Sequence, residues 1–193
     1  NPNLKSAGVN IPFTPTQVNE YVKCATDPEY FIKTYVKIIH VDHGLIPFDL
    51  WDFQKEMVHA FHKERFVITK LPRQSGKSTT VTSYILWQIL FHDYQNIAIL
   101  ANKGTLARDL LRKVQLAYEY LPKWIQQGVV VWNKGDIELE NGSKIVAAAT
   151  SSSAIRGGSY NLIFLDEFAH VHQNMAEEFF MSTYPTISSG KTT

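Results

Sequence analysis

Apolar positions change their period along the chain, and each change marks an element. From Ser78 to about Phe91 the run is apolar enough to read as a buried helix. Between Gly104 and about Tyr120, Leu106, Leu110, Val114 and Ala117 fall on one helical face. Leu50, Phe53, Met57, Val58 and Phe61 show the same spacing between Asp49 and about His62. Short continuous apolar runs at Phe66–Thr69, Ile97–Ala101 and Leu162–Leu165 predict strands, and Val129–Trp132 is a further candidate. Ile137–Glu140 and Lys144–Ala148 flank Asn141-Gly142, a pair suited to a tight hairpin turn.

Nearer the N-terminus, Pro2, Gly8 and Pro12 break residues 1–13 into an irregular arm. Thr14-Pro15 reads as an N-cap followed by proline at the first helical position, opening a helix through about Cys24. Asp27-Pro28 repeats that signal before the stripe Tyr30, Phe31, Tyr35 and Ile38. The stretch His43–Pro47 reads as a turn. These patterns divide the chain into an N-terminal arm with helices, 1–45, and an α/β core, 46–193. Strands alternating with helices predict a mainly parallel sheet flanked by helices, with a small hairpin insertion.

Composition narrows the class. The chain has 193 residues, 45% hydrophobic and 19% charged, which suits one compact globular unit. A net charge of +1 gives no global attraction for nucleic acid, so DNA contacts would need a local patch or sequence elsewhere. The single cysteine, Cys24, excludes an intrachain disulfide and suits a reducing cytoplasm. No apolar run approaches the roughly 20 residues of a membrane span, and no secretory leader opens the chain, so neither membrane nor secretion is expected. Asn1 rather than Met stands first, as expected of a fragment. The seven histidines show no metal-ligand spacing beyond His59/His62 and His170/His172 and have no cysteine partner, which argues against zinc.

Candidate chemistry lies first at Leu71-Pro72-Arg73-Gln74-Ser75-Gly76-Lys77-Ser78-Thr79, between a predicted strand and a predicted helix. That context suits a phosphate loop: backbone N–H groups and the positive end of the helix dipole meet phosphate oxygens. Lys77 would reach the β- and γ-phosphates, and the Ser78 hydroxyl would ligate Mg²⁺. The usual first glycine is replaced by Leu71, and Arg73 lies inside the loop, where it would stabilise charge on the transferring group. The alternative for Arg73 is a surface residue bonding the loop's own carbonyls. The strand at Leu162–Leu165 ends in Asp166-Glu167, which puts two acids at the carboxyl edge of the sheet. There Asp166 would hold Mg²⁺ and Glu167 would polarise the attacking water. Together these features predict a RecA/ASCE-like P-loop NTPase with ATP and Mg²⁺ as ligands.

Other positions stay open. Gln54 could read the adenine through its amide, and Trp51 or Phe53 could stack on it, although Phe53 equally fits the core stripe of its helix. Arg156 lies in the polar loop 150–159, which could sense the nucleotide, donate Arg156 to a neighbouring subunit or be an ordinary solvated connection. Ser189-Gly190-Lys191-Thr192 imitates a second phosphate loop but has no strand leading into it, and reads as a turn.

With these residues in place, the chain resembles the ATPase domain of the large terminase subunit of tailed double-stranded-DNA phages, most of all the contractile-tailed type. The resemblance runs from about Tyr30 to the end. It rests on Leu71-Pro-Arg-Gln-Ser-Gly-Lys-Ser, Tyr35-Val-Lys-Ile-Ile, Leu45-Ile-Pro-Phe, Phe53-Gln54, Ile99-Leu-Ala-Asn-Lys-Gly, Ala154-Ile-Arg-Gly and Phe164-Leu-Asp-Glu, in the family's order. It implies an ATP-driven motor that moves DNA into a procapsid in the host cytoplasm. The implied partners are the portal protein, the small terminase subunit and further copies of the chain in a ring. It also implies Gln54 for adenine, Arg73 as a finger in cis, Lys77 and Ser78 for phosphate and Mg²⁺, Asp166 for metal and Glu167 for catalysis. Arg156 matches a position that would act between subunits. The family's coupling motif and nuclease domain would follow Thr193, so this polypeptide alone is expected to cut no DNA and to turn over ATP weakly or not at all. A superfamily 2 helicase-type ATPase and a non-hydrolysing nucleotide-binding or interaction fragment are the alternatives.

Overall fold

The computed structural model of the chain describes residues 1–150, 158–171 and 173–188. Helices α1 (Pro15–Thr26) and α2 (Pro28–Tyr35) start where the caps predict. The Thr14 hydroxyl accepts from the Gln17 N–H at 3.3 Å, and Gln17 Oε1 accepts from the Thr14 N–H at 2.9 Å, a complete capping box. Asp27 caps α2 by accepting from the Tyr30 N–H at 3.0 Å.

The stretch 43–47 is more than a turn. Strand β1 (Lys37–His40) pairs antiparallel with β2 (Gly44–Pro47) in a separate small sheet, and only 41–43 reverse the chain. Gly44, at φ 66, supplies the left-handed residue that closes such a loop.

Next come α3 (Asp52–Lys63), α4 (Lys77–Phe91), β3 (Asn96–Ala101), α5 (Gly104–Glu119), β4 (Val129–Trp132), β5 (Asp136–Leu139), β6 (Lys144–Ala149), β7 (Leu162–Asp166) and α6 (Gln173–Ser188). The main sheet has the order β4-β5-β6-β3-β7. Strands β6, β3 and β7 are parallel. The expected hairpin around Asn141-Gly142 forms between β5 and β6, but β6 itself is a strand of the parallel sheet, and β4 adds antiparallel to β5. The P-loop NTPase type of α/β fold predicted from the sequence is the one observed.

Strand β3, between β6 and β7, is buried on both faces, which is why its sequence is a continuous apolar run. Ile97 and Ile99 enter the larger core with α4 and α5, whereas Ala98 and Leu100 meet Tyr160 and Phe179 on the opposite face. Phe179 belongs to α6, a helix that the sequence pattern did not announce. On α5 the buried stripe is Ala107, Leu110, Leu111, Val114 and Tyr118, and Leu106 stays 38% exposed. The N-terminal helices share the larger core: Cys24, Phe31 and Ile32 belong to the same cluster as Ile85, Leu86 and Trp87 of α4.

Helix α4 is enclosed, with Val81 through Trp87 all buried. Its Trp87 Nε1–H donates to the Cys24 carbonyl at 2.8 Å. The residue four positions beyond Cys24 is Pro28, which has no N–H to give, so the indole supplies the missing donor.

One expected strand is absent. Residues Phe66–Thr69 carry no ladder, and Ile68 is 97% exposed. An apolar run becomes a strand only beside a partner, and among the described residues the edge strand β7 pairs only with β3.

Candidate nucleotide site

The loop before α4 is shaped by two left-handed residues, Gln74 at φ 62 and Gly76 at φ 73. Gly76 is the N-cap of α4 and offers no side-chain cap, so the first N–H groups of the helix keep their donors for a ligand. Pro72, Arg73 and Gln74 are exposed, and Ser75, Lys77, Ser78 and Thr79 are half-buried. Leu71, in place of the usual glycine, packs against the larger core and anchors the near end of the loop.

Gln54 braces this loop from α3. Its Oε1 accepts from the Trp51 N–H at 2.9 Å, which caps α3, and its Nε2 donates to the Ser75 carbonyl at 3.0 Å. The side chain is nearly fully buried. Phe53 is half-buried against the larger core, while Trp51 is 71% exposed, with the two ring centroids 6.2 Å apart.

Across the sheet edge stands Asp166, the last residue of β7 and in register with Ala101 of β3. Lys77 Nζ lies 3.9 Å from Asp166 Oδ1, an ion pair longer than a hydrogen bond. Burial pushes the Asp166 carboxyl above its ordinary range; Lys77 opposes that, Glu167 adds to it, and the Lys113 charge is also felt there. Asp166 Oδ1, Ser75 Oγ and Asn102 Oδ1 are buried with no hydrogen-bond partner among the described residues. A buried carboxylate oxygen that accepts no hydrogen bond fits a hard divalent cation such as Mg²⁺. Among the described residues no group of three His, Cys, Asp or Glu could hold a metal, so hydroxyl, water or phosphate oxygens would complete the shell.

Glu167 is exposed and sits at φ 49, ψ 37, left-handed backbone that an L residue with a long side chain rarely adopts. Arg156 lies outside the described residues, as does the sequence 189–192. Sequence reading missed Lys113, whose Nζ donates to Thr79 Oγ1 at 3.2 Å from α5. An exposed lysine on an amphipathic helix carries no local signal that could have singled it out.

A loop with left-handed turns leading into a helix, facing an acid at the carboxyl edge of a mainly parallel sheet, defines a protein of the P-loop NTPase class. The chain belongs to the large-terminase family: the model described as "Terminase large subunit, T4likevirus-type, N-terminal" matches residues 68–183. The resemblance read from the motifs is thereby borne out. The fold is similar to that of the HK97 bacteriophage large terminase, with a TM-score of 0.66 and 17% identity over 83% of this chain. It is likewise similar to the Thermus phage P74-26 large terminase ATPase domain, with a TM-score of 0.60 and 18% identity over 74% of this chain. The chain spans 35% of the former and 61% of the latter. No helix among the described residues is long and apolar enough to cross a membrane.

Proposed function

We propose that the chain is the ATP-hydrolysing part of a phage DNA-packaging motor, acting on double-stranded DNA in a ring of copies at the portal, together with the small terminase subunit. The observation that carries the ATP site is the meeting of Lys77 Nζ and Asp166 Oδ1 at 3.9 Å, beside a helix start left uncapped. In this reading the N–H groups at the start of α4 and the Lys77 ammonium bind the phosphate tail. Ser78 and Asp166 would hold Mg²⁺, which would neutralise charge on the phosphate oxygens. Glu167 takes a proton from the attacking water as the water oxygen bonds to the γ-phosphorus. The bond to the β-phosphate oxygen breaks, and ADP leaves with that electron pair. Arg73 faces the γ-phosphate and offsets its developing charge. The left-handed backbone of Glu167 supports this role, since such strain is retained where a side chain must be aimed.

Gln54, braced between Trp51 and Ser75, acts first on the shape of the loop; its second amide proton is the group left for an adenine. Calorimetry with ATP and Mg²⁺ tests the site. Wild type should bind, Lys77→Ala should weaken binding by about tenfold or more, and Glu167→Gln should leave it within about twofold. Binding indifferent to Lys77→Ala would remove the basis of the reading. For the motor role, DNA-stimulated ATP turnover by the assembled ring, lost in Glu167→Gln, is the expected result.

A further inference from the structure

Helix α5 brings a cation to the nucleotide site that the phosphate-loop pattern does not include. Lys113 is exposed at its backbone position, flanked on the helix by the buried Leu110, Leu111 and Val114. Long side chains on a helix lean toward its N-terminus, and α5 begins directly after β3, at the carboxyl edge of the sheet. Its stem therefore runs along the seam with α4 toward the loop, and Nζ ends 3.2 Å from Thr79 Oγ1.

Thr79 is in the first turn of α4, two positions after Lys77. The hydroxyls that follow it bond back into the helix: Thr80 to the Gly76 carbonyl, Thr82 to the Ser78 carbonyl and Ser83 to the Thr79 carbonyl. Thr79 differs, because its oxygen accepts from an ammonium carried by another helix. An ammonium has three protons, and one bond to a hydroxyl leaves donors and a full charge for a neighbouring anion. The anion that fits beside an uncapped helix start and Lys77 is a polyphosphate.

We propose that Lys113 is a second phosphate-binding ammonium of this site, held on Thr79 and presented to the polyphosphate tail of the nucleotide. This rests on the reading of the loop as an ATP site. The consequence is that α5, which also packs on the sheet, is tied to the phosphates directly rather than through α4 alone.

The test is titration of Mg²⁺ and ATP against the purified chain, with the thermal midpoint of each variant measured alongside. Lys113→Ala should weaken binding by at least about threefold, in keeping with a partly solvated ion pair, and leave the thermal midpoint unchanged. Lys113→Arg should restore most of the affinity. Lys113→Gln keeps a donor for Thr79 but no charge, and should remain as weak as Lys113→Ala. Thr79→Val should cost less in the Lys113→Ala background than alone, since it then removes no held ammonium. If binding is lost in Lys77→Ala yet changes by less than about threefold in Lys113→Ala, or if Lys113→Gln binds as wild type, the proposal is overturned while the loop reading stands. If wild type binds no nucleotide, the loop reading itself fails.

Discussion

The amide of Gln54 fills the space that a side chain at Gly76 would need: a Cβ there would meet Gln54 Nε2 at 2.6 Å. Two requirements thus converge on one glycine, a backbone at φ 73 and room for the brace that holds Ser75. Gly76→Ala should destabilise the chain by at least about 2 kcal/mol in urea unfolding, from left-handed strain plus overpacking. In a Gln54→Ala background the same change should cost only about 1 kcal/mol, because the close contact is gone. Equal costs in both backgrounds would show that the two residues do not compete for space.

Glu167 holds left-handed backbone at the position proposed to polarise the attacking water. Asn tolerates that conformation better, so Glu167→Asn should raise folding stability by about 1 kcal/mol. ATP hydrolysis should disappear in the same variant. Thermal melts and turnover assays on one preparation check both, and a less stable Glu167→Asn would contradict the strain.

Trp87 replaces the donor that Pro28 cannot provide. Trp87→Phe strands the buried Cys24 carbonyl and leaves a small void, at a cost of about 2–3 kcal/mol. For a domain of this size the melting temperature should fall by roughly 5–10 °C. Nucleotide affinity should be unchanged, since the contact lies well along α4 from the loop.

Glu140 ties the N-terminal arm to the far side of the sheet. The Gly8 N–H, donating at 3.0 Å, is the main cause that holds its carboxyl below the ordinary range; burial opposes this, and the Gly128 N–H and Lys5 assist. A depressed folded pKa contributes stability above the unfolded value of about 4.3, and that contribution is lost as pH falls through the folded one. Wild type should therefore exceed Glu140→Gln at neutral pH by only about 0.5–1 kcal/mol, because solvent screens this exposed group. The gap should close below about pH 4, and a gap that instead grew on acidification would have the wrong sign.

Where local chemistry decides, the sequence was readable. Thr14 before Pro15, Asp27 before Pro28 and Asn141-Gly142 each specify a boundary within a few residues, and the structure has those boundaries. The same holds for β3, whose burial on both faces leaves a continuous apolar run, and for α4, whose enclosure leaves no charged residue after Lys77. Phe66–Thr69 misled because its apolar pattern says nothing about whether a neighbouring strand is present to pair with it. The bracing of Ser75 by Gln54 spans 21 residues, and the contact of Lys113 with Thr79 spans 34. Pairings over such separations depend on how α3 and α5 dock against α4, and no local spacing encodes that.

Enclosure of α4 also constrains how this part of the protein can diverge. A helix with no free face offers no neutral positions: Ile85, Leu86 and Trp87 can change only by exchanges that keep volume and, for Trp87, the indole donor. The exposed residues just before it, Pro72, Arg73 and Gln74, face no packing requirement of that kind. At Gln74 the left-handed backbone is the remaining restraint, and on the proposed reading the nucleotide is the other. Packing therefore constrains the chain after Gly76 far more than before it.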